Sequence, residues 1–365
     1  MKEPDLGLAR KAIFVGLTVM VAAAVAAAAA EVLVRLLVPS GSVATWLVRD
    51  PVYGYIQRPG VRQVWHYAGT DVTWRIRINS LGMRGPECDL RRRDRQRLLL
   101  LGDSFTFGYG LDEDLTFAGQ LRRMLNQERR RWCVLNAGVG GWGTVQEVKY
   151  AIRNLEKLQP DVIVLTFCPN DQVDDIVFLQ GAAGGLLPYF PGKRFLRDHS
   201  RLYGFIYSCL HTALFNRVLL KDLKNGEERP GKSQAGGPRA QPGITPQDEM
   251  RRWERTGWYI RMLHERFLTF NPDGLLILQT THPWRQDLKA RLSSLCKDTG
   301  MVYVDLEDDA RRIGRGRIFL SYDPHWSAAM HEASAQRLLE VIRGHYRAGF
   351  GGEPAGLEEN THEAG

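Results

Sequence analysis

The sequence of 365 residues predicts an α/β fold, a three-layer αβα sandwich built on a central, mostly parallel sheet of about five strands. Three observations carry this. From Arg97 onward, short apolar runs alternate with stretches of helix length and helical periodicity. The apolar runs are nearly continuous rather than alternating, as in strands buried on both faces. Turn-forming residues follow most of the runs, at the edge where an open parallel sheet places its ligands. Hydrophobic residues at 44% and charged residues at 25% are ordinary for a globular chain.

The elements follow in chain order. From Ala12 to Ala30 no residue is charged, and Val32-Leu33-Val34 prolong the run after Glu31. About 20 helical residues rise ~30 Å, the thickness of a hydrocarbon core. One transmembrane helix is therefore expected over 12–38. Lys2, Arg10 and Lys11 precede it, so the positive-inside rule makes 1–11 cytoplasmic and the remainder periplasmic or extracellular. A cleaved signal peptide and a buried Ala-rich helix share this composition, but the apolar run exceeds a typical signal core.

Residues 39–96 read as a β-rich entry segment. Asp50-Pro51 and Pro59-Gly60 mark turns, and Thr73-Trp74-Arg75-Ile76-Arg77-Ile78 alternates with period two, as a half-buried strand does. The main domain is expected over 97–346. Its strands fall at Leu98–Leu101, Val134–Asn136, Val162–Phe167, Leu275–Gln279 and Val302–Asp305. Helices are expected from Phe117 to Glu128, Val145 to Leu158, Trp253 to Phe270, Gln286 to Lys297 and Ser327 to Arg343. An insertion over 174–223, a mobile loop over 224–247 and a disordered tail over 347–365 interrupt or end the pattern; the last two are rich in Gly and Pro and poor in apolar residues.

The net charge of +8 owes much to Arg91-Arg92-Arg93 and Arg129-Arg130-Arg131. No nucleic-acid recognition motif accompanies these runs, so no nucleic-acid partner is expected; a solvated surface near anionic lipid headgroups suits them better. The five cysteines are scattered and lack CxxC spacing. They indicate no zinc site, and spacing alone assigns no disulfide. Cys133 and Cys168 read as small hydrophobes of strand-like runs. No cofactor and no metal are expected: neither GxGxxG nor a P-loop follows a predicted strand, and the histidines show no ligand spacing.

Chemistry gathers at the strand ends. Gly102-Asp103-Ser104 closes the first strand of the main domain with a tight turn that exposes a serine. A serine nucleophile needs a base and a group to orient that base. Asp323-Pro324-His325-Trp326 offers both, with His325 as base and Asp323 as its orienting acid. Acyl transfer also needs donors for the developing oxyanion. The glycines from Gly138 to Gly143 and the amide of Asn170 follow the second and third strands and can supply them.

Gly102-Asp103-Ser104, Gly141, Asn170-Asp171 and Asp323/His325 resemble, in order, the sequence blocks of the SGNH (GDSL-type) hydrolase family. The resemblance covers roughly Arg97 to Arg343 outside the insertion, and it implies a flavodoxin-like SGNH fold. It also implies roles: Ser104 as nucleophile, with Ser104, Gly141 and Asn170 forming the oxyanion hole and His325 and Asp323 completing the triad. This sequence departs from the family pattern at three places. Phe105 replaces the usual leucine, Cys168-Pro169 replace a glycine before Asn170, and Tyr322 stands where the acid commonly lies three residues before the histidine. The shorter Asp323-x-His325 spacing with a following Trp is similar to polysaccharide O-acetyltransferase and acetylesterase branches of the superfamily. His331 matches a second, structural histidine. The membrane anchor, Asp50-Pro51 with Gly54-Tyr55, and the Asn79 to Gly85 stretch resemble membrane-bound bacterial members, and for Arg84 both a fold-capping and a substrate role fit.

The expected function is thus a membrane-anchored serine esterase that cleaves acyl esters, acetyl esters among them, through an acyl-enzyme. An O-acyltransferase acting on envelope glycans would use the same intermediate, and an idle scaffold of an envelope complex is the non-enzymatic alternative. The expected partners are an acyl-ester substrate carried by envelope polysaccharide or lipid, and the bilayer itself.

Overall fold

The structure is a computed structural model that describes residues 6–37, 46–67, 70–92, 94–127, 131–179, 196, 200–206 and 246–349. The chain opens with α1 (Leu6–Leu37), in which Ile13–Leu37 is long and apolar enough to cross a membrane. Two antiparallel hairpins follow, β1 (Leu47–Asp50) with β2 (Gly54–Gln57) and β3 (Arg62–His66) with β4 (Thr73–Arg77). In β4 the predicted alternation is realised, with Trp74 and Ile76 buried between exposed neighbours.

The main sheet begins with β5 (Arg95–Gly102), followed by the short α2 (Ser104–Phe107) and α3 (Phe117–Leu125). Then come β6 (Arg131–Asn136), α4 (Thr144–Leu158), β7 (Val162–Phe167) and α5 (Asp171–Leu179). After the insertion the chain continues through α6 (Pro246–Phe270), β8 (Leu275–Thr280), α7 (Gln286–Thr299) and β9 (Val302–Tyr303). It closes with α8 (Glu307–Ile313), α9 (Arg315–Ile318) and α10 (Ala328–Gly349). The five strands pair in the order β6-β5-β7-β8-β9, all parallel. This is the flavodoxin-like order, with its switch point beside β5.

Side-chain alternation along β5 divides the core into two layers. Leu98 and Leu100 pack with Phe117, Leu121, Met330 and Leu338 on the side of α3 and α10. Leu99 and Leu101 pack with Val148, Leu155, Ile260 and Leu292 on the side of α4, α6 and α7. All four leucines are fully buried, which accounts for the unbroken apolar run in the sequence.

The structure moves several expected boundaries. α6 begins at Pro246, so 246 and 247 belong to a helix rather than to the expected mobile loop; proline is well suited to the first turn, where its missing N–H costs nothing. Asp174 to Leu179 of the expected insertion complete α5, and α10 runs on to Gly349. The rest of the expected loop, most of the insertion and the tail from 350 lie outside the described residues. Cys133 is not a free small hydrophobe: it forms a disulfide with Cys88, which ties the entry segment to strand β6.

Candidate active site

Each candidate side chain leaves the carboxyl edge of the sheet from a turn with a local cause. Gly102 ends β5 at φ +151°, and a Cβ there would lie 2.1 Å from Thr106 Oγ1. Only glycine lets the chain turn this tightly into α2. Asp103, fully buried, caps α2 by accepting the Phe105 N–H at 2.9 Å. Ser104 is thus the first residue of α2, half-buried with its hydroxyl toward the site.

His325 sits in the turn between α9 and α10. Leu320 N–H donates to its carbonyl at 2.9 Å, and the next residue, Trp326, is fully buried with its indole N–H on Thr281 O at 2.9 Å. The ring is flanked by Phe105 and Tyr109, with centroids 4.8 and 4.9 Å away. In this setting His325 Nε2 and Ser104 Oγ are 2.6 Å apart. Its Nδ1 meets Asp323 Oδ1, which also accepts the His325 backbone N–H at 3.0 Å. Tyr67 donates to the other oxygen, Asp323 Oδ2, at 2.9 Å. Burial pushes the Asp323 carboxyl up, but the hydrogen bonds from His325 and Tyr67 outweigh it and hold the group below its ordinary value. A carboxylate that stays ionised can fix the imidazole tautomer and stabilise an imidazolium.

The donor side is built by the loop after β6. Asn136 Nδ2 donates to Thr106 O at 2.9 Å, and its Oδ1 accepts the Gly138 N–H at 3.0 Å. The entry hairpin grips the same loop: Gln57 Nε2 donates to Gly138 O, Tyr55 Oη to Gly140 O at 3.2 Å, and Trp142 Nε1 to Tyr55 O at 2.9 Å. Gly141 lies at φ +77°, and a Cβ there would come within 2.7 Å of Tyr55 Oη. Among the described residues, neither the Ser104 nor the Gly141 backbone N–H meets an acceptor. Two free donors of this kind are what an oxyanion needs. Asn170, exposed at the start of α5, donates through Nδ2 to Asp174 Oδ2 at 2.8 Å and makes a longer contact of 3.4 Å with Asp103 Oδ2.

All five sequence-predicted site residues therefore converge on one edge. Tyr67, Gln57 and Tyr109 also shape the site, and no motif in the sequence singles them out; Tyr55 does so too, from the Gly54-Tyr55 pair of the entry segment. Arg84 is structural: it is buried and donates to the carbonyls of Phe107, Gly108, Leu111 and Arg75. His331 is buried too and accepts the Phe117 N–H at 3.1 Å; burial lowers it to about 3, so it stays neutral. Asp103, Cys168 and Asp171 each place one ligand-type atom within 4.8 Å of the others. The Cys168 N–H donates to Asp171 at 2.9 Å, and burial pushes the Cys168 thiol well up. These contacts make the trio a hydrogen-bonded brace under the Ser104 turn.

A serine hydroxyl thus meets a histidine ring at the switch-point edge of a 2-1-3-4-5 parallel sheet, a frame that an ester hydrolase can use. The chain belongs to the GDSL-like lipase/acylhydrolase family, whose model matches residues 100–333, and it is an ester-hydrolysing enzyme. Among solved structures, it is similar to a family 3 carbohydrate esterase from Clostridium thermocellum at 14% identity and TM-score 0.41, covering 70% of this chain and 98% of that one. It is also similar to the psychrotrophic esterase EstA from Pseudoalteromonas sp. at 12% identity and TM-score 0.39, covering 68% and 97%. A lipase/acylhydrolase from Enterococcus faecalis matches at 13% identity and TM-score 0.38, covering 68% and 96%. No curated protein matches the chain.

Proposed function

We propose that the protein is a membrane-anchored serine esterase working through Ser104, His325 and Asp323, with its catalytic domain outside the cytoplasm. The observation that carries the reading is the 2.6 Å contact between His325 Nε2 and Ser104 Oγ, backed by Asp323 on Nδ1. His325 takes the hydroxyl proton as Ser104 Oγ attacks the ester carbonyl. The oxyanion is held by the Ser104 and Gly141 N–H groups and by the Asn170 amide. His325 then gives the proton to the departing alkoxide, leaving an acyl-Ser104 ester. Water, deprotonated by the same histidine, releases the acid.

The outward location draws on two features. Ile13–Leu37 is long enough to span a bilayer, and the Cys88–Cys133 disulfide is a bond that persists in oxidising compartments. Envelope polysaccharide or lipid esters are the substrates such a location offers; transfer of the acyl group to a glycan hydroxyl would use the same intermediate.

The test is labelling of the folded, full-length protein by a fluorophosphonate, read by mass spectrometry beside hydrolysis of a short acyl ester. An adduct on Ser104, together with loss of ester hydrolysis in Ser104→Ala by at least roughly a thousandfold, is the expected result. Full hydrolysis by Ser104→Ala would end the proposal.

A further inference from the structure

Glu31 is an anomaly in the sequence, a carboxylate that has only Arg35 as a charged neighbour within the span Ile13–Leu37. An ionisable group in such a place needs a partner, and the structure provides several. Ser200 Oγ donates to Glu31 at 2.7 Å, and the backbone N–H groups of Arg201 and Leu202 donate at 2.9 and 3.0 Å. Arg35 Nε, one turn further along α1, donates at 2.7 Å. The carboxylate thus caps a short helix over 201–206 that belongs to the insertion, far away in sequence.

The depth of this contact follows from helix geometry. Glu31 lies 18 residues after Ile13, a rise of about 27 Å against a hydrocarbon core of about 30 Å. The capped helix therefore starts at the outer boundary of the bilayer. Its residues suit that boundary. Gly204 is buried, whereas Phe205 and Ile206 are 42% and 45% exposed and nearby Leu196 is 37% exposed. Arg201 and Tyr203 add a cation and an aromatic hydroxyl, the side-chain types enriched at the headgroup level. A helix of six residues is only about 9 Å long, within the depth of an interfacial element.

We propose that residues 200–206 form a second membrane contact, with Phe205 and Ile206 inserted among lipids of the outer leaflet and Glu31 holding the segment at that depth. The proposal rests on reading α1 as a bilayer span. The domain would then touch the membrane at two places and lose freedom to swing about its anchor.

Site-specific photocrosslinking in phospholipid vesicles tests it on the full-length chain. p-Benzoylphenylalanine is placed at Phe205 in one sample and, in another, at Val25, an exposed position of α1. Phospholipid adducts at both positions are expected, and Glu31→Ala should lower the yield at position 205 several-fold while leaving position 25 unchanged. A lipid adduct at 25 without one at 205, or a protein adduct at 205 in its place, overturns the second contact and leaves the anchor standing. Absence of lipid adducts at both positions overturns the anchor and the proposal together. An unchanged yield at 205 in Glu31→Ala overturns the role of Glu31.

Discussion

Tyr67, on the entry segment, donates its hydroxyl to Asp323 at 2.9 Å across a separation of 256 residues. The acid that faces His325 is therefore held from two sides. Its Oδ1 takes both the ring and the backbone N–H of His325, a local arrangement that the two-residue spacing allows. Tyr67 fixes Oδ2 and keeps the carboxylate from rotating. The β3–β4 hairpin with its flanks thus helps to frame the proposed triad. Asp323→Asn should lower kcat by roughly 10²–10⁴, as loss of the orienting carboxylate does elsewhere. Tyr67→Phe removes one hydrogen bond to a charged group and should cost about 1.5–3 kcal/mol, or roughly 10–150-fold in kcat at most. Steady-state kinetics on a short acyl ester measure both, and wild-type rates in Asp323→Asn would remove it from the triad.

The amide of Asn170 points to a separate measurement. Its Nδ2 donates to Asp174 and, at a longer 3.4 Å, to Asp103, so the proton on the longer contact is the one that would turn to an oxyanion. Asn170→Ala should lower kcat by roughly 10²–10³ with little change in KM, the signature of a donor that acts mainly in the transition state. A rise in KM at constant kcat would instead assign Asn170 to ground-state binding.

Much of the site is legible in the sequence because βα units place their chemistry at strand ends, and a strand end is a local signal. Leu98 to Ser104 shows it most clearly: an apolar run, a glycine, a capping aspartate and a serine lie within seven consecutive residues. The supporting residues escape sequence reading for the opposite reason. Tyr55, Gln57 and Tyr67 act through contacts with Gly140, Gly138 and Asp323 that span 85, 81 and 256 residues. Nothing in the local pattern of Gln57 or Tyr67 differs from that of an ordinary strand or turn, and the Gly54-Tyr55 pair gives no sign of the contact with Gly140. Cys88 and Cys133 are similar, since only the folded path of β6 beside the entry segment brings their Cα atoms to 6.0 Å.

That disulfide closes a span of 45 residues. In the chain-entropy view, cross-linking a loop of this length stabilises the folded state by about 4 kcal/mol. The paired variant Cys88→Ser/Cys133→Ser should unfold at a clearly lower urea concentration than the oxidised protein, with the native sheet retained in circular dichroism. Coincident urea midpoints for the two proteins would show that the bond contributes nothing to stability.

A buried group of carboxylates beneath the Ser104 turn sets a pH dependence of stability. Burial raises Asp174 and Asp175 to about 7 and pushes Glu147 and Asp171 well above the usual carboxylate range. Among the described residues, both Glu147 oxygens and Asp175 Oδ2 have no hydrogen-bond partner. For these groups the folded protein holds protons that the unfolded chain has already released at ordinary carboxylate values. The contribution of all four is complete below about pH 4; that of Asp174 and Asp175 is lost as pH rises through about 7, and that of Glu147 and Asp171 as pH rises through their own raised values. The buried histidines oppose this on the acid side. Burial lowers His282 to about 4 and His331 to about 3, so their contribution is complete above about 6.5 and is lost as pH falls toward those values. The fold should therefore be less stable at pH 8 than at pH 5.5, because the carboxylate losses continue after the histidines have finished titrating. Asp175→Asn isolates one member: an amide can keep an acceptor for the Val145 N–H, which Asp175 Oδ1 now takes at 2.7 Å, while removing the ionisation. Its stability relative to wild type should improve by about 3 kcal/mol on going from pH 5 to pH 8. Urea unfolding at the two pH values measures this, and a pH-independent difference between variant and wild type would show that Asp175 does not titrate near neutrality.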